Sequence, residues 1–174
     1  MKNILIVIDI QKDFVDGSLG TAEAQNMIPA AAAKIAAFNG EIFVTFDTHG
    51  EDYLSTQEGK ILPVRHCIKG TAGWLLDERI AKALENKNWH AVEKNTFGAF
   101  ALPSLITDAA GGEDFSVEMI GLCTDICVIS NALILKAAFP EKRLSVDSAC
   151  CAGVTPALHE SALNVMKSCQ IEIV

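Results

Sequence analysis

No apolar run in the sequence approaches the roughly 18 residues that a membrane span needs, and the opening stretch MKNILIVIDIQKDF turns charged too soon for a secretory leader. These absences argue against a transmembrane protein and lead to the expectation of a cytoplasmic one. An excess of positive charge is missing too. Fourteen Lys plus Arg stand against 22 Asp plus Glu, for a formal net charge of −8, and no basic stripe compensates, so neither nucleic acid nor an anionic membrane surface is expected as a partner. The six cysteines, Cys67, Cys123, Cys127, Cys150, Cys151 and Cys169, lack a secreted context and read as reduced thiols rather than a disulfide framework. There is no internal repeat, low-complexity tract or linker. Residues 1–174 therefore read as a single domain, long enough to bury a substantial core.

What is present is an alternation of short aliphatic runs and helical patterns. Strands are expected at 2–8, 41–46, 89–93, 116–121, 144–147 and 170–174. Helices are expected at 28–38 with Pro29 in the first turn, at 74–85, at 100–110, from Thr124 or Asp125 as possible caps to about Phe139, and at 155–167. The stretch 50–73 shows no periodicity, and an excursion of that length inside a compact domain is usually functional. Six alternations predict an α/β protein with three α/β/α layers around a six-stranded, mainly parallel, doubly wound sheet. In such folds ligands bind beyond the carboxyl ends of the strands, where strand order reverses.

The strand endings therefore carry the functional reading. They deliver Asp9, Asp47 with His49, Lys94, and a strand-to-helix turn leading to Cys127. Singly, each has an ordinary structural explanation as a cap, a solvated charge or a packed thiol. Together a carboxylate, an ammonium and a sulfur supply the parts of activated nucleophilic catalysis. A thiol in a helix's first turn also meets unpaired N–H groups and the positive end of the dipole, which favour the thiolate.

The Asp of IDIQKDF, the Lys of EKNTFGAF and the Cys of GLCTDICV resemble the Asp-Lys-Cys triad of the isochorismatase-like cysteine hydrolases, and the resemblance runs from the first strand to the last. FDTHGED and PVRHCIKGT are similar to the nicotinamidase branch. That resemblance implies catalytic Asp9, Lys94 and Cys127, metal ligands Asp47, His49 and His66, and a cis peptide at Leu122–Cys123. It also implies an oxyanion site made by backbone N–H groups near Cys123 and Cys127. One carboxylate and two imidazoles suit Zn²⁺, with Fe or Mn as other candidates. Glu58 reads equally as an extra ligand or as part of a solvated loop. Phe14 and Phe97 are placed by the motifs to flank a flat ring, or are ordinary core.

The resemblance has departures. Leu62 stands where nicotinamide-cleaving relatives commonly carry Trp, Arg65 is an additional residue before His66, and Cys123 occupies a position where Ala is usual. Arg65 either meets an anionic substrate or faces solvent. His90 and His159 read as structural. The chain is short for the branch, which leads to the expectation of a homo-oligomer whose partner subunit completes the pocket. The expected activity is metal-assisted hydrolysis of a small primary amide, nicotinamide first among them. Beside it stand hydrolysis of another small amide or of isochorismate, and a non-catalytic doubly wound binding or redox module.

Overall fold

The computed structural model describes residues 1–174. The elements follow in the order β1 (Lys2–Ile8), α1 (Lys12–Val15), α2 (Ala22–Ala37), β2 (Glu41–Asp47), α3 (Gln57–Ile61), α4 (Glu78–Leu84), β3 (Trp89–Lys94), α5 (Leu102–Ala110), β4 (Phe115–Leu122), α6 (Ile129–Ala138), β5 (Arg143–Ala152), α7 (Pro156–Ser168) and β6 (Glu172–Ile173). The sheet runs β3-β2-β1-β4-β5-β6 and every pairing is parallel. From β1 the chain winds to one edge through β2 and β3. It then returns to the other side of β1 with β4, so the order reverses between β1 and β4.

Alternation along β1 sorts the core into two layers. Leu5 and Val7 pack with Met27, Ile28, Ala31 and Ile35 of α2 and with Ile80 and Leu84 of α4. Ile4, Ile6 and Ile8 pack on the opposite face with Leu102 and Ile106 of α5, Ala132 and Leu135 of α6, and Leu163 and Met166 of α7. Burial on both faces explains why these strands are continuously aliphatic. Where β1 meets β4, Ile8 is in register with Gly121. Gly121 has φ +134, and a Cβ there would lie 2.1 Å from the Ile8 carbonyl oxygen, so only glycine fits at the switch point.

Several boundaries differ from those expected of the sequence. Helix α2 begins at Ala22, because the Thr21 side chain accepts from the Ala24 N–H and caps it. Pro29 then lies inside the helix on an exposed face, where water can take the carbonyl it leaves unpaired. The 74–85 pattern yields a helix over Glu78–Leu84 alone, capped by Asp77. Strand β5 extends past Asp147 to Ala152, with its register against β4 broken by a bulge, and that break ends the aliphatic pattern early. The aperiodic 50–73 stretch contains two 3₁₀ turns and α3, built around Tyr53, which is fully buried and donates its hydroxyl to the Leu62 carbonyl at 2.9 Å. No helix is long and apolar enough to cross a membrane.

Candidate active site

Asp9, Lys94 and Cys127 meet at the carboxyl edge of the sheet, beside the switch point. Asp9 follows β1 in a left-handed backbone conformation, φ 48, a state that costs a non-glycine residue about 1–3 kcal/mol and that Asp tolerates better than most. Thr45 of β2 secures it: the Asp9 N–H donates to the Thr45 side chain at 3.2 Å, and the Thr45 hydroxyl donates to Asp9 Oδ1 at 2.6 Å. Lys94, the last residue of β3, places Nζ 2.6 Å from Asp9 Oδ2, 3.5 Å from Asp47 Oδ1 and 3.6 Å from Cys127 Sγ. The contact with Oδ2 is an ion pair off the line of a hydrogen bond, so this buried oxygen keeps a free lone pair.

Electrostatics give each member a definite resting state. Burial alone would lower the Lys94 ammonium, but the charges of Asp9, Cys127 and Asp47 outweigh it and hold the amine protonated. Burial raises the Asp9 carboxyl above its ordinary range, with Lys94 opposing. Burial and then the Asp9 charge push the Cys127 thiol well above its usual value, with Lys94 pulling the other way. Burial and the Asp9 charge thus favour the protonated sulfur, which accepts from Lys94 Nζ at 3.6 Å, against the pull towards thiolate expected of a helix's first turn.

The reason lies in the local backbone. Cys127 sits in a single π-helical turn, Thr124–Val128, that precedes α6, rather than in an α-helical first turn. Thr124 and Asp125 do not cap it. The Thr124 hydroxyl meets His159 Nδ1 of α7 at 2.8 Å, and Asp125 accepts from the Val154 N–H at 2.9 Å. Asn131, one turn on, accepts from the Ala99 N–H and donates to the Cys127 carbonyl, each at 2.8 Å. The Leu122–Cys123 peptide is cis, and the Cys123 N–H has no hydrogen-bond partner in the protein.

Next to this group, Asp47, His49 and His66 are buried with one donor atom each, all within 4.8 Å of one another. Asp47 Oδ2 lies 2.9 Å from His49 Nε2 and 3.6 Å from His66 Nε2. Glu58 Oε1, in the first turn of α3, is 3.6 Å from His66 Nε2 and 3.8 Å from His49 Nε2. The His66 Nδ1 pairs with the Val64 carbonyl at 2.8 Å, which turns its Nε2 towards two carboxylates; burial lowers the imidazole, but the hydrogen bond to Asp47 and the two carboxylate charges raise it overall. A cation is the natural occupant of such a convergence, and the N₂O donor set, with the Val64 carbonyl fixing the His66 ring, suits a borderline divalent ion. Burial raises Asp47, but hydrogen bonds from both histidines and the Lys94 charge hold its carboxyl well below the usual range.

A cavity of about 720 Å³ opens over both groups. Phe14, Leu62 and Phe97 all line it, together with Cys123 and Cys127. Phe14 lies 5.5 Å from the His66 ring. Arg65 pairs with Glu51 at the exposed surface and does not line the cavity. His90 is exposed, within 3.2 Å of Glu41 and stacked on Phe43.

Several residues that hold the site escaped the sequence reading. Gln11 grips the Asp47 backbone, and the Asp13 carboxylate accepts from the Cys67 N–H at 2.8 Å, seating the residue after His66. The Tyr53 ring packs 4.7 Å from the His49 ring and 5.0 Å from that of His66. A polar residue two or four positions past a chemistry-bearing strand end is the signal that marks Gln11 and Asp13.

The chain as a whole is similar to known proteins. The Isochorismatase domain family matches residues 3–174. A Bacillus subtilis (strain 168) protein, described as an uncharacterized isochorismatase family protein PncA, is 32% identical over 143 residues, covering 76% of this chain and 78% of that one. The crystal structure of the nicotinamidase/pyrazinamidase PncA from Bacillus subtilis superposes with a TM-score of 0.86 at 27% identity over 100% of both chains. The pyrazinamidase of Pyrococcus horikoshii, solved in complex with zinc, gives a TM-score of 0.83 at 26% identity over 100% of this chain and 99% of that one.

Proposed function

The chain belongs to the isochorismatase family of hydrolases, and on that footing we propose that it cleaves a small, flat primary amide of the nicotinamide type to the carboxylic acid and ammonia. The observation that carries this reading is the single ammonium of Lys94 spanning Asp9 at 2.6 Å and Cys127 at 3.6 Å, with Cys127 on the wall of a cavity that Asp47 and His66 of the metal-capable cluster also line. Asp9 takes the Cys127 proton on its unpaired Oδ2 as sulfur attacks the amide carbonyl. Lys94 stays charged and offsets the negative charge of the attacking sulfur. The free Cys123 N–H and the Cys127 N–H receive the oxyanion of the tetrahedral intermediate. Asp9 then hands its proton to the leaving nitrogen, the C–N bond breaks and a thioester remains on Cys127. Water, deprotonated by Asp9, attacks that thioester, and the returning proton restores the thiol.

Asp47, His49 and His66, with Glu58 in reach, would hold a divalent ion. Zn²⁺ is favoured by the donor set, with Fe²⁺ or Mn²⁺ as alternatives, and when bound the ion supplies Lewis-acid orientation of a ring nitrogen and of water. Phe14 and Phe97 offer faces to a flat ring. Asp47 and Glu58 are the acidic residues lining the cavity, and no Lys or Arg lines it, which disfavours a polyanionic substrate such as isochorismate.

A coupled ammonia assay with nicotinamide, pyrazinamide and several aliphatic amides, run with and without a chelator, tests the proposal. Release from the ring amides, lost in the chelated protein and restored by Zn²⁺, supports it. Ammonia from none of them sinks it in favour of a non-catalytic module.

A further inference from the structure

The size of the cavity bears on which amide it takes. A nicotinamide ring has about nine heavy atoms, and at the roughly 30 Å³ each that a water occupies in the liquid it would fill about 270 Å³. The cavity holds about 720 Å³. The remainder is bounded mainly by apolar side chains, with Thr21, Gln57, Asn95 and Thr96 as uncharged polar members of the lining. The apolar ones are Leu19 and Ala24 at the start of α2, Ile61 and Leu62 at the end of α3, Ile126 beside the nucleophile, and Val154 before α7. Ile61, Leu62 and Val154 stand 76%, 37% and 46% exposed, so a ligand that covers them removes apolar surface from water at each point.

Resting on the amidase reading, we infer that the substrate is larger than a bare ring amide: an uncharged aryl amide carrying an apolar substituent on the order of ten heavy atoms long, its carboxamide at Cys127 and its tail against Leu62, Ile126 and Val154. The absence of Lys and Arg from the lining disfavours an anionic tail, and the acidic pair Asp47 and Glu58 lies at the metal-capable cluster, Glu58 Oε1 being 3.6 Å from His66 Nε2. Water displaced from Ile61, Leu62 and Val154 supplies selectivity in kcat/KM, because it accompanies the tail into the transition state as well as into the ground state.

The test is ammonia release from a series of benzamides and nicotinamides bearing hydrogen, methyl, propyl, butyl and hexyl substituents opposite the carboxamide. With the Zn²⁺-loaded protein, kcat/KM is expected to rise about fourfold per methylene over the first carbons. In Val154→Phe and in Leu62→Trp, which narrow the apolar part, the ratio of kcat/KM for the butyl amide to that for the unsubstituted one is expected to fall at least tenfold. Val154 and Leu62 are partly exposed, so the larger side chains do not strain the core. A ratio at or below one in the wild-type protein overturns this inference while leaving the amidase reading intact. Ammonia from no member of the series overturns both.

Discussion

The Gln11 side chain holds the backbone of Asp47 at both ends, its Oε1 accepting from the Asp47 N–H at 2.8 Å and its Nε2 donating to the Asp47 carbonyl at 2.9 Å. The same Nε2 donates to the Trp74 carbonyl at 2.8 Å, and Gln11 is wholly buried. One amide thus ties the loop after β1, the end of β2 and the segment before α4 into the frame that aims the Asp47 carboxylate.

Gln11→Leu keeps much of the volume but leaves three backbone groups in the interior without a partner. At about 1–3 kcal/mol for each unsatisfied group, the variant is expected to lose about 3 kcal/mol or more in urea unfolding. Loss of the Gln11 grip on the Asp47 backbone should also weaken Zn²⁺ binding by about 10–100-fold. Unfolding midpoints and Zn²⁺ affinity both within error of the wild type would show that Gln11 holds nothing in place.

Asp9→Asn separates sulfur reactivity from turnover. The Asp9 charge raises the Cys127 thiol, so removing it lowers the thiol's pKa and increases the thiolate fraction at any pH below that value. Alkylation of Cys127 by iodoacetamide at about pH 8, followed by peptide mass, is expected to quicken. Amide hydrolysis should fall by about 10³-fold or more for want of the proton acceptor. Slower alkylation in the variant would mean that the Asp9 carboxylate, acting as base, generates the reactive thiolate rather than opposing it.

Asp9, Asp47 with His49, and Lys94 were legible because they close or directly follow β1, β2 and β3, and a parallel sheet brings such ends to one rim, whereas His66, on no strand end, and the reading of the trio as metal ligands came from the family motifs. The layers were legible too, since strands buried on both faces read as aliphatic runs. Less visible was the resting state of Cys127. The π-helical turn that carries it, and the burial that keeps its proton, depend on Asp125 reaching the Val154 N–H and Thr124 reaching His159, contacts about thirty residues apart in the chain. Capping chemistry hid the start of α2, because Pro29 reads as a first-turn residue until Thr21 is seen to cap. The bulge in β5 broke a pattern that continues in space.

Lys34 of α2 joins two strands by placing Nζ 2.5 Å from Glu118 Oε1 and 2.6 Å from Asp147 Oδ2. Burial alone would lower its pKa, but the hydrogen bonds to Asp147 and Glu118 raise it overall. A lysine whose folded value exceeds its unfolded one contributes stability that is fully present below about pH 10.4 and is lost as the pH rises through the folded value. Lys34→Met is expected to cost about 2 kcal/mol near pH 8, and its deficit against the wild type should shrink above about pH 10.4. A deficit that stays constant up to about pH 11 would contradict this assignment.

Covalent chemistry at one sulfur is the centre of the account, and the intact mass of the protein quenched in acid during turnover of an aryl amide tests it most directly. The expected result is a mass increase equal to the substrate less ammonia, mapped by peptide fragmentation to Cys127 and absent from Cys127→Ala, which releases no ammonia. Unmodified Cys127 throughout turnover, with Cys127→Ala hydrolysing the amide at the wild-type rate, would contradict it.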